Sequence, residues 1–85
     1  RDERYFKAVK QSARKGMIEP INKRIDELKG VASARMLGSD VTTEARDDIG
    51  KLLRLKGMVE QVINRELGMM QAEHLKILKR HQEAE

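Results

Sequence analysis

The chain contains no cysteine and no tryptophan, and only one proline, one tyrosine and one phenylalanine among 85 residues. Without cysteine there is no disulfide framework and no thiolate metal site, and a reducing compartment is permitted. With so few rings, any core must be aliphatic. No apolar run approaches the roughly 18 residues needed to span a bilayer, and the basic start lacks the apolar stretch of a signal peptide. A soluble protein, not secreted by a signal peptide and with no membrane partner, is therefore expected. The chain opens on Arg1 and not on methionine, so it reads as a processed or partial piece of a longer one.

What remains is 39% hydrophobic and 38% charged, the composition of long helices and coiled coils. Eighty-five residues allow one small domain. The expected fold class is all-α.

Two periodic stretches flank the turn formers Gly38-Ser39-Asp40-Val41-Thr42-Thr43. Downstream, Ile49, Leu52, Leu53, Lys56, Val59, Ile63, Leu67, Met70, His74, Ile77 and Leu78 recur at helical spacing. A second arm over 43–81 follows, with Thr42 or Thr43 as its cap. Glu44, Asp47 and Asp48 near its start and Lys76, Lys79 and Arg80 near its end suit the macrodipole. Upstream, Phe6, Val9, Ala13, Met17, Ile21, Ile25, Leu28 and Ala32 form the stripe of a first arm over 2–37, interrupted at Gly16 and Pro20. Proline removes a helical hydrogen bond, so one helix bends here or two helices meet. At about 1.5 Å per residue the arms span roughly 54 and 58 Å, and this near-equality favours the bend. The reading is a single domain over 1–85: a coiled-coil-like antiparallel helical hairpin with a kink or break near Gly16-Pro20 and its turn at 38–42. Folding back sets Leu28 near Leu52, Ile21 near Val59, Ala13 near Leu67 and Phe6 near His74.

A second apolar line on the second arm, Leu55, Met58, Val62, Met69 and Ala72, lies a quarter to a third of a turn from the first. One partner helix cannot cover both. A hairpin of this size also buries little apolar surface by itself, so these five residues are expected to join copies into a homo-oligomer. The competing reading breaks the first arm at Pro20 and folds it over this line as the third helix of a monomer. Gly50, Gly57 and Gly68 fall on nearly one side of the arm. Close backbone approach by Gly30, Ala32, Ser33 and Ala34 would explain them, and so would plain exposure to solvent.

Charge is uneven. Residues 1–15 carry Arg1, Arg4, Lys7, Lys10, Arg14 and Lys15 against Asp2 and Glu3, and Lys79 and Arg80 return to the same open end. The turn end carries Asp40, Glu44, Asp47 and Asp48. Arg4, Lys7, Lys10, Arg14, Lys15, Lys79 and Arg80 are the candidates to meet DNA phosphates or an acidic protein surface. Tyr5 and Phe6 sit among them, but Phe6 belongs to the apolar stripe and reads as core.

Phosphate-cradling, zinc-protease and calcium-loop motifs are missing. His74 and His81 stand seven apart, too far to share one ion on a straight helix. His74 reads as a seam residue. No serine has a histidine placed beside it by sequence spacing, and a rod of two helices offers no concave pocket. No enzymatic activity, cofactor, metal or small-molecule substrate is expected.

Residues 42–79, TTEARDDIGKLLRLKGMVEQVINRELGMMQAEHLKILK, resemble the second helix of short helical-hairpin proteins encoded among the head and DNA-packaging genes of tailed bacteriophages. The likeness is carried by Thr43-Glu44-Ala45-Arg46, by Leu53-Arg54-Leu55-Lys56, and by Glu60 with Val62 and Ile63. The architecture is similar to the oligomerisation core of small terminase subunits, whose hairpins assemble into a ring that handles viral DNA. The Gly16–Pro20 interruption departs from that pattern. The resemblance implies a non-enzymatic virion-assembly or DNA-packaging structural protein, in the host-cell cytoplasm or the virion. Two other functions compete with it: a small basic nucleic-acid-binding regulator, and an adaptor that pairs with a helix of another protein.

Overall fold

The computed structural model describes residues 2–34 and 38–84, and all of its regular structure is helical: α1, Asp2–Ala32, and α2, Ser39–Ala84. The two pack side by side as an extended hairpin. Its extents are 71 × 18 × 11 Å and its radius of gyration is 19.9 Å, where a globular chain of this length would have about 12 Å. The 46 residues of α2, at about 1.5 Å each, account for the whole long dimension.

The arms are therefore unequal, 31 residues against 46, where near-equal arms over 2–37 and 43–81 were expected. The turn also lies earlier than 38–42. α1 ends at Ala32, and α2 has begun by Ser39. The last part of the expected first arm, 35–37, lies outside the described residues. Local hydrogen bonds explain the shift. The Thr42 amide donates to the Gly38 carbonyl at 3.2 Å, the first bond of α2, so Gly38 holds the N-cap position. Thr42 does not cap; its hydroxyl donates backwards to the Ser39 carbonyl at 3.0 Å. Asp40, in the first turn, is thus the acidic residue placed on the macrodipole, and Glu44, Asp47 and Asp48 lie beyond the first turn, where its effect fades. At the end of α1, Ser33 donates both its amide and its hydroxyl to the Lys29 carbonyl, at 3.1 and 2.9 Å, filling acceptors that a helix end leaves open.

α1 runs through Pro20 without a break. Proline has no N–H for the carbonyl four residues back, and its ring crowds that carbonyl. Here that residue is Gly16. Across this segment the face turned to α2 changes phase. Phe6, Val9 and Ala13 form the seam before it, and Ile18, Ile25 and Leu28 after it, a step of five residues from Ala13 to Ile18. Ile18 is the most buried side chain, 1% exposed, whereas Met17, expected in the seam, is 56% exposed.

The core is the cluster of Ile18, Ile63 and Leu67, flanked by Phe6, Val9, Ala13 and Val59. Leu28 and Leu52 border one groove near the turn, and the Phe6 ring meets His74 edge-on at 5.8 Å near the open end. This is the antiparallel register expected for those pairs. Leu53, Met70, Ile77 and Leu78 remain exposed, the last two beside the start of α1, where little of that helix is left to cover them.

Candidate interaction surfaces

The second apolar line stands bare. Leu55, Met58, Val62, Met69 and Ala72 are all exposed, with Met58 at 63% and Met69 at 61%. Because α1 is one continuous helix along the other side of α2, it does not fold over this line as a third helix. A feature that apolar residues alone do not reveal completes it. Lys51, Leu55, Met58, Val62, Arg65, Met69, Ala72 and Lys76 follow alternating steps of four and three, the spacing of a heptad seam. Arg65 sits in its middle and lysines close both ends. Reading the spacing without regard to residue type would have found these three.

The basic residues do not form one patch. Lys7 and Lys10 border a groove with Glu3 from α1 and with Asn64, Gly68 and Gln71 from α2. At 100° per residue, Arg4 and Lys15 project to the opposite side of α1 from the seam formed by Phe6, Val9 and Ala13. Lys79 and Arg80 are exposed near the end of α2. Arg14 is half-buried, and its Nη2 donates to Glu60 Oε1 across the seam at 3.2 Å. Its charge already has a partner, unlike the role expected for it.

Tyr5 is exposed and stacks on Phe6, with ring centroids 5.3 Å apart. Phe6 packs against the core cluster, as its place in the stripe implied. His74 is half-buried against Phe6, and His81 is exposed. Among the described residues no three His, Cys, Asp or Glu side chains gather as a metal site, and no helix is long and apolar enough to cross a membrane.

Close backbone approach does not explain the glycines of α2. A Cβ added at Gly57 or Gly68 would meet nothing within 4 Å, and at Gly50 only the end of Arg54, at 3.9 Å.

No family model matches the chain, and no match to it was found among curated proteins or solved structures.

Proposed function

We propose that this chain is a non-enzymatic assembly protein that acts by self-association of its hairpins, in a phage head or DNA-packaging machine within the host cell or the virion. The observation that carries the self-association is the bare line of Leu55, Met58, Val62, Met69 and Ala72, left uncovered by a continuous α1. Apolar side chains on one side of a rod this thin gain burial only from another molecule. The phage setting rests on the resemblance of residues 42–79. The exposed Arg4, Lys7, Lys10, Lys15, Lys79 and Arg80 support contact of the open end with DNA phosphates or with an acidic protein surface.

Absolute molar mass by light scattering over a dilution series, with and without short duplex DNA, tests this reading. A multiple of the chain mass is expected, and the joint substitution Val62→Glu and Met69→Glu returns it to the monomer without loss of helicity. A monomer at every concentration refutes the self-association. The same exposed basic residues support a second reading, a nucleic-acid-binding regulator whose hairpin only dimerises. It predicts binding to duplex DNA that weakens steeply with salt.

A further inference from the structure

The geometry points to an antiparallel pairing of two copies through α2, centred on a two-fold axis between Ile63 and Asn64. This rests on the self-association reading and adds the orientation and register of the partner. The heptad spacing from Lys51 to Lys76 covers about 38 Å at roughly 1.5 Å per residue. A left-handed supercoil keeps such a line facing its partner.

Charge decides between the two ways of pairing it. In a parallel, in-register pair every residue meets its own copy, so Arg65 faces Arg65 in the middle of the seam. Such a pair also sets the two basic open ends side by side. In the antiparallel pair, facing residues have numbers that sum to 127. Arg65 then lies along Val62, its aliphatic stem on apolar surface and its guanidinium at the rim. Leu55 meets Ala72, a large side chain on a small one, and Met58 meets Met69, two flexible thioethers that fit each other's surface.

The ends strengthen the choice. Carried one layer further, the same register sets Asp48 opposite Lys79, and it brings Asp47 level with Arg80. The two-fold makes both meetings occur twice. The acid-rich turn end of one hairpin thereby lies against the basic open end of the other. The like-charge meetings of this register are the Lys51–Lys76 layer, next to these acids, and Glu44 with Glu83, one layer beyond Asp48 and Lys79.

The cysteine-free chain makes disulfide mapping direct. Met58→Cys and Met69→Cys are made separately, mixed in equal amounts and oxidised, while light scattering follows the parent chain. A Met58→Cys chain linked to a Met69→Cys chain, with neither variant linking to itself, is the expected result. A parent chain that associates while either variant links to itself, or while no link forms, overturns the register and leaves self-association standing. A parent chain that stays monomeric overturns both. Charge reversal gives a second readout. Asp48→Lys and Lys79→Asp each lower the association constant about tenfold, since each acts twice in the pair, and together they restore it. Loss that only accumulates in the double variant counts against the pairing.

Discussion

Arg14 and Glu60 are 46 residues apart in sequence, yet Nη2 of one lies 3.2 Å from Oε1 of the other across the α1–α2 seam. The side chains keep 41% and 34% exposure, so water screens the pair. A double-mutant cycle of Arg14→Ala and Glu60→Ala, read by urea unfolding, should give a coupling of about 0.5 kcal/mol that shrinks with added salt. A coupling several times larger would mean that the pair is more desolvated than the structure has it.

The phase change near Pro20 makes a sharper prediction, because adjacent residues receive opposite fates. Ile18→Ala removes the most buried side chain and should cost about 2–4 kcal/mol. Met17→Ala, one position away and exposed, should change stability by no more than about 0.5 kcal/mol. Thermal unfolding followed by circular dichroism separates them. Equal losses would place both residues on the seam and contradict the five-residue step.

These two residues also show where the sequence was legible. Helix type, hairpin topology and the pairings of Phe6 with His74 and Leu28 with Leu52 follow from periodicity and from folding one stripe back on the other. The place of Ile18 does not, because a stripe read at constant helical spacing passes from Ala13 to Met17, whereas the seam steps five residues to Ile18 before rejoining the stripe at Ile25 and Leu28. The turn was misplaced because Ser39, Asp40 and Thr42 are turn formers that a helix also accepts near its start. Thr42 instead bonds back to the Gly38 and Ser39 carbonyls and closes the first turn of α2. The bare line was visible as apolar residues, whereas Arg65 and the two lysines that complete its spacing were hidden by their charge.

The glycines of α2 offer a gain in stability. Glycine in a helix interior costs roughly 0.5–1 kcal/mol relative to alanine, through the freedom it has in the unfolded chain. Nothing lies within 4 Å of an added Cβ at Gly57 or Gly68. Gly57→Ala and Gly68→Ala should therefore each stabilise the monomeric hairpin by about that amount in urea unfolding. A loss at either position would reveal a close neighbour that the hairpin alone lacks.

The open end separates free cations from paired ones. Each phosphate neutralised by a lysine or arginine adds about 0.9 to the slope of log affinity against log salt for duplex DNA. Lys7 and Lys10 are exposed beside the seam groove, so Lys7→Ala with Lys10→Ala should flatten that slope by nearly two. Arg14 is held by Glu60, and it must break that pair to reach a phosphate. Arg14→Ala should then flatten the slope by less than half as much as either lysine change. Fluorescence anisotropy on a labelled duplex, over salt from about 50 to 200 mM, measures all three. An equal effect at Arg14 would mean that binding opens the ion pair. A chain without affinity for the duplex at the lowest salt would remove nucleic acid from the proposal and leave an acidic protein surface as the partner of this end.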